Sequence, residues 1–388
     1  MSRLGLLVTM VGVTAGAAGS PGPYSPWSHG PSTNADFFPI AVWLQNPSRA
    51  GEYREAGFNT YVGLWRGPTE THLVDLKAAG MRVICSQNEV GRRHLDNPTI
   101  IGWMHGDEPD NAQSLGSGKG YGPPIPPERI IGDYERLRQR DPTRPILLNL
   151  GQGVAWDDWH GRGVRTRHPE DYLEYVKGGD IVSFDIYPAV HDHPEVSGNL
   201  WFVARGVERL VEWTDNRKVI WNCIECTRIQ NPTRKPTPRE VRAEVWMSII
   251  RGSRGLIYFV HEWEPRFNEA ALLDDAEMLD AVTAINRQII ELAPVLNSPA
   301  QPDLVKLIRP DADHPVATTC HVHGGATYVF SVNLRPAAAS HAFELSQATK
   351  ALSVKVLGEN RNLPLQANRF EDRFPPWGVH LYQVDAKW

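Results

Sequence analysis

Eight short apolar runs, each followed by a polar or amphipathic stretch, set the pattern of this chain. They are FPIAVWLQ (38–45), FNTYVGLW (58–65), MRVICSQ (81–87), TIIGWMHG (99–106), PILLNLGQ (145–152), DIVSFDIYP (180–188), KVIWNCIECT (218–227) and LIYFVHEW (256–263). The stretches between carry helix signals. PTETHLVDLKAAG (68–80) begins with Thr and Glu and stops at Gly, and PPERIIGDYERLRQRDP (126–142) has Pro near its start and just past its end. Further helical patterns cover 169–179, 199–214, 236–255 and 276–296, and SRAGEYREAGF suits a short helix. Strands alternating with helices in this way predict parallel pairing and an α/β fold, a closed (β/α)8 TIM barrel. The alternative, a doubly wound open sheet, usually has a Gly-rich phosphate turn after its first strand, and WLQNPSRAGEYRE has none.

Past residue 302 the rhythm changes. LVKLIRP, VATTCHVHGG, ATYVFSVNL, HAFELSQ, SVKVLGEN and GVHLYQVDA are short and alternate polar with apolar, and Gly324-Gly325 suits a tight hairpin. This predicts a small C-terminal antiparallel β-sandwich over 301–388, behind a barrel over 20–300. Residues 1–19, MSRLGLLVTMVGVTAGAAG, combine one cation, an apolar stretch and small residues at 15–17. That is the pattern of a secretory signal peptide, so the expected location is secreted or periplasmic.

Net charge is −5 without a long basic run, which argues against nucleic acid or an anionic membrane as the partner. Four Cys are too few for a disulfide scaffold at this length. Cys223 and Cys226 form C-x-x-C inside an apolar run and read as small buried residues.

In a (β/α)8 barrel the chemistry sits where the strands end. Those ends carry Trp43, Gln45, Trp65, Asn88, His105, Asp107, Glu108, Asn149, Asp185, Tyr187, Glu225, His261 and Trp263. Glu108 closes the fourth run and Glu225 the seventh. Two carboxylates across one mouth are what glycoside hydrolysis requires, one to donate a proton and one to attack or to activate water. Indole faces stack on sugar rings, and amides and carboxylates bond hydroxyls. The expected sugar contacts are therefore Trp43, Trp65, Asn88, His105, Asp107, Asn149, Asp185, Tyr187, His261 and Trp263. The loop from Trp156 to Trp159 suggests a further sugar platform, and the long loop 109–126 suggests a wall at one end of the cleft.

GDEP around Glu108, WNCIECT around Glu225, FDIYP around Tyr187 and the Trp after the last run together resemble clan A of the glycoside hydrolases. The stretch PTPREVRAEVWMSIIRGSRGLIYFV is similar to bacterial β-galactosidase-like barrels. The resemblance implies a retaining glycosidase for a β-linked glycan, with Glu108 as acid/base and Glu225 as nucleophile. It further implies Tyr187 hydrogen-bonded to the nucleophile, Trp263 as sugar floor and no cofactor. One position departs from the pattern: Asp107 stands where the clan has Asn before its acid/base.

Two other readings stay open. One is a carbohydrate-binding barrel without catalysis. The other is a metal-dependent barrel hydrolase drawing on His105, His191, His193 and His261, although H-D-H at 191–193 suits a solvated loop better than a metal site. His321 and His323 share one strand face in the tail and are expected at the surface. The partner implied is an oligo- or polysaccharide.

Overall fold

The computed structural model describes residues 22–308, 310–347 and 349–385. The proposed signal peptide lies outside them. The barrel strands are β1 (Ile40–Trp43), β2 (Thr60–Val62), β3 (Arg82–Cys85), β4 (Ile100–Met104), β5 (Ile146–Leu150), β6 (Ile181–Phe184), β7 (Val219–Ile220), β8 (Asn222–Glu225) and β9 (Leu256–Phe259). All pair in parallel, in the order β7-β6-β5-β4-β3-β2-β1-β9-β8. The first and last in that order are consecutive in the chain, two halves of one strand interrupted at Trp221. The Trp221 N–H donates to the Val182 carbonyl at 3.0 Å, which helps close the ring. The result is an eight-membered barrel.

Alternate strand residues point inward and fill it. Ala41, Val62, Ile84, Leu147, Ile181, Trp221, Cys223 and Ile257 form an apolar plug. At the bottom Tyr24 joins this plug. Trp221 Nε1 donates to the Tyr24 hydroxyl (2.9 Å), which donates to the Arg254 carbonyl (2.7 Å).

The outer layer is α1 (Ala50–Glu55), α2 (Glu70–Ala78), α3 (Glu89–Arg93), α4 (Pro127–Arg140), α5 (Tyr172–Tyr175), α6 (Trp201–Trp213), α7 (Pro238–Ile250) and α8 (Ala276–Leu296). Caps start several of them. Thr69 accepts from the His72 N–H, Thr237 and Glu240 make a reciprocal capping box, and Asp275 accepts from the Met278 N–H. Gly206 lets α6 lie against β6, since a Cβ there would fall 2.1 Å from the Phe184 ring. The expected helix over 169–179 is instead one turn, α5, between 3-10 segments.

Behind the barrel, β10 (Val305–Ile308), β13 (Ala339–Leu345) and β16 (Arg369–Phe374) form a three-stranded antiparallel sheet. β11 (Val316–His323), β12 (Ala326–Asn333), β14 (Ser353–Val356), β15 (Arg361–Pro364) and β17 (Val379–Asp385) form a five-stranded one. Phe343, Phe370 and Tyr382 pack between them. Gly324 and Gly325, at φ 57° and 77°, turn the β11–β12 hairpin in a region other residues rarely enter. Trp246 of α7 packs against Phe330 of β12, ring centroids 5.2 Å apart, docking the sandwich on the barrel. That contact corrects one expectation: His321 is buried at this junction, bonded to the Ser298 carbonyl at 3.0 Å, and only His323 is exposed. The four cysteines are buried and free.

Candidate active site

The site is built where β4, β5 and β6 end. Leaving β4, the chain runs Gly106-Asp107-Glu108-Pro109. Glu108 has φ 40°, a left-handed conformation uncommon for a residue with a side chain, and a residue before proline ordinarily stays extended. The strain is held by the next residue but one. Asp110 is fully buried, accepts the Gly151 N–H at 2.9 Å and the Tyr172 hydroxyl at 2.7 Å, and so ties the β4 turn to the end of β5. A Cβ at Gly151 would crowd the side-chain ends of Asn111 (2.8 Å) and Glu108 (2.9 Å). Strained backbone of this kind concentrates at functional sites.

Three carboxyls meet above the apolar plug. Asn149 of β5 donates from one nitrogen to Asp107 Oδ1 (2.9 Å) and to Asp185 Oδ1 (3.4 Å), while its own oxygen accepts from the Ser183 hydroxyl (2.8 Å). Glu108 lies in hydrogen-bonding contact with Asp185, and the Tyr187 hydroxyl also acts on Asp185. Burial is the main reason all three carboxyls hold their protons more tightly than usual. Asp107 is pushed up to about 6, opposed by the Asn149 hydrogen bond, and Asp185 is pushed up to about 7, with Asp107 adding repulsion. Glu108 is raised further, by burial and then by the charges of Asp185 and Asp107. Asp107 is nonetheless exposed to solvent, whereas Glu108 and Asp185 are half-buried. Such a cluster can hold an ionised and a protonated carboxyl side by side near neutral pH.

Glu225 is not part of it. Its side chain is 0% exposed. Its two oxygens accept the N–H groups of Ala189 (2.5 Å) and Val190 (3.0 Å), in the loop after β6. Its remaining partner is Glu244, a fully buried carboxyl of α7. Burial, then the charge of Glu225, raises Glu244 well above the carboxylate range, so Glu244 is the member of the pair that holds a proton. The groups that shift Glu225 are Glu244, Glu240 and two loop amides, whereas those that shift Glu108 are Asp185, Asp107 and Asp110. The groups that act on Glu108 and on Glu225, the expected pair, do not overlap. The loop amides and α7 capture Glu225 and enclose it.

Several other expected contacts have protein partners of their own. Asn88 caps α3, accepting from the Gly91 N–H (2.9 Å) and donating to the Pro68 carbonyl (2.9 Å), so both ends of its amide are used. His105 is buried, its Nε2 bonded to the Gly178 carbonyl at 2.7 Å, away from the acids. Trp43 is buried in the barrel plug. Tyr187 serves Asp185 rather than Glu225. The four histidines considered for a metal have separate partners: His105 at Gly178, His191 at Gln152 (2.8 Å), His261 at Gln45 (3.2 Å), and His193 at the Glu195 N–H (3.3 Å).

Trp65, His261 and Trp263 do gather, with Phe267, around a cavity of about 460 Å³ beside β1, β2 and β9. Trp159 and Tyr187 border a second, of about 520 Å³, beside β5 and β6. Trp156 is buried and donates to Glu195 at 3.0 Å, which leaves Trp159 as the ring at the platform's edge. Sequence reasoning missed Asp110, Glu244 and Phe267. Glu244 had a signal, a lone carboxylate within the apolar run VWMSII and its preceding turn.

No known protein-family profile matches the chain, and no curated protein matches it. Solved structures do. A candidate α-galactosidase/melibiase from Bacteroides fragilis NCTC 9343 superposes with a TM-score of 0.52 at 11% identity, covering 90% of this chain and 79% of that one. A second candidate α-galactosidase from the same organism gives 0.50 at 10% identity, with the same coverages. A GH30 endoxylanase from Clostridium papyrosolvens C71 gives 0.49 at 11% identity, covering 90% and 96%. What they share with this chain is the fold. It is a (β/α)8 barrel with a β-sandwich behind it.

Proposed function

We propose that the chain is a retaining glycoside hydrolase in which Asp107 is the nucleophile and Asp185, hydrogen-bonded by a protonated Glu108, is the acid/base. One observation carries this. A single Asn149 nitrogen lies 2.9 Å from Asp107 Oδ1 and 3.4 Å from Asp185 Oδ1. Any triangle with those two sides keeps the oxygens closer than the ~6.5 Å at which inverting pairs begin, and so favours the shorter spacing of retaining enzymes.

In the first step Asp185 gives its proton to the leaving glycosidic oxygen as the C–O bond breaks. Asp107 bonds to the anomeric carbon, forming a glycosyl ester. In the second step Asp185, now ionised, takes a proton from water, whose oxygen displaces Asp107. Glu108 keeps a proton on the pair it forms with Asp185, because two touching carboxyls cannot both ionise. Glu108 therefore acts beside the acid rather than as the acid itself. The β-linkage implied by the clan A resemblance rested on a strand-seven nucleophile, and Glu225 is enclosed.

The test is a panel of 4-nitrophenyl glycosides of both anomers, α-galactosides included because two structures of the same fold carry that description, together with soluble polysaccharides. On the substrate found, Asp107→Gly should lose turnover and regain it with azide, giving a glycosyl azide. Wild-type turnover in Asp107→Gly would refute the assignment. No turnover by the wild-type protein, with binding retained, would leave a carbohydrate-binding barrel.

A further inference from the structure

Two cavities open near the carboxyl cluster, and Tyr187, beside Asp185, lines one of them. One is the 460 Å³ cavity, whose rings are unusually bare: Trp65 is 67%, Phe267 61% and Trp263 43% exposed. Three large exposed rings around one hollow form a patch that marks a binding surface. The other is the 520 Å³ cavity, lined by Gln152, Trp159, His160, His191 and Asn231. Its polar groups, amides, imidazoles, the Thr233 hydroxyl and the Asp192 carboxylate among them, are suited to hydroxyls.

A path of touching rings joins the two. Tyr187, which lines the second cavity, meets Phe259 at 5.1 Å, Phe259 stacks on Trp263 at 5.5 Å, and Trp263 meets Phe267 at 5.9 Å. Tyr187 is also the residue beside Asp185. The reacting carboxyls therefore lie beside the row of rings that runs from one cavity to the other. Each cavity alone falls in the ~300–1,000 Å³ range that holds a drug-sized ligand, which is more than a single sugar needs.

We propose that the mouth binds a carbohydrate chain of several sugars across both cavities, so that internal bonds are cut, with Trp65 and Phe267 stacking on units remote from the cleaved bond. This rests on the glycosidase reading above. Remote contacts of this kind add transition-state stabilisation for long substrates that short ones cannot use.

The experiment has two arms. In the first, the wild type, Trp65→Ala and Phe267→Ala are compared on a 4-nitrophenyl monoglycoside and on the oligosaccharide series of the same sugar from two to six units. Each variant should lose about tenfold more kcat/KM on the longest chain than on the monoglycoside, the scale of one ring-stacking contact. The wild type should release oligosaccharides from the polysaccharide before monosaccharide. In the second arm, Asp107→Asn is run through native gels cast with each polysaccharide of the panel. It should be retarded by one of them, and Trp65→Ala added to it should reduce the retardation. Equal losses on short and long substrates, or monosaccharide released alone from the outset, would overturn the proposal. Retardation without turnover by the wild type would instead overturn the hydrolase reading while leaving the chain-binding surface standing.

Discussion

Replacing Glu225 with Ala separates a structural carboxylate from a catalytic one. In the native chain its oxygens accept the Ala189 and Val190 N–H groups and face the protonated Glu244. Alanine leaves two buried N–H groups without an acceptor, at about 1–3 kcal/mol each, and strands the Glu244 hydroxyl as well. The expected loss is about 3–6 kcal/mol, a large share of the roughly 5–15 kcal/mol that holds a typical domain together. Differential scanning calorimetry should show the barrel transition fall by roughly 5–10 °C. Azide should restore nothing, because the vacated space opens on a loop and a helix rather than on the mouth. A Glu225→Ala protein with native stability, inactive but revived by azide, would refute this and return Glu225 to the nucleophile's place.

Asp185→Ala should cut kcat/KM by about 10²–10⁴ for poor leaving groups and far less for 2,4-dinitrophenyl glycosides, as for loss of a general acid. Equal losses on both would deny it that role. The pH profile of kcat/KM should be a narrow bell, rising through about 6 as Asp107 ionises and falling through about 7 as Asp185 gives up its proton. The two limbs belong to the coupled cluster rather than to single residues, and a plateau from pH 5 to 9 would contradict it. Stability should also depend on pH. Asp107, Asp185 and Glu225 keep protons in the folded state, up to about 6, 7 and 7, that the unfolded chain releases near its ordinary carboxylate values. Their contribution is fully present below about pH 4 and is lost as pH rises through 7. The thermal midpoint should be higher at pH 5 than at pH 8, and the reverse order would mean these groups ionise without cost.

The barrel was legible because its strands are written as contiguous apolar runs and its helices carry their own caps. α8 appears over 276–296, where its periodicity places it. The segment 169–179 was not, since Pro169 and Gly178-Gly179 break it into turns that a mean apolar pattern conceals. Asp107, Asn149, Asp185 and Tyr187 were legible as polar residues at strand ends. Which carboxyl faces which was not, because that depends on packing. Glu225 shares its inward parity with Cys223, yet amides from a loop some thirty-five residues earlier draw its side chain away. His105 could have been excluded. It alternates with Trp103, which packs outward, and so belongs to the helix layer. Asn88 could have been excluded too, because Asn three positions before the Gly91 amide is a helix cap as much as a ligand.

The barrel's underside has a bearing on how the chain can be trimmed. Tyr24 fills the base of the plug and satisfies the indole of Trp221, at the break in the interrupted strand. A processing protease or an engineered start that cuts upstream of this tyrosine leaves the cylinder floored. A cut even a few residues further along would pull the stopper from beneath it and leave the Trp221 indole N–H without its partner, at the point where the ring is joined.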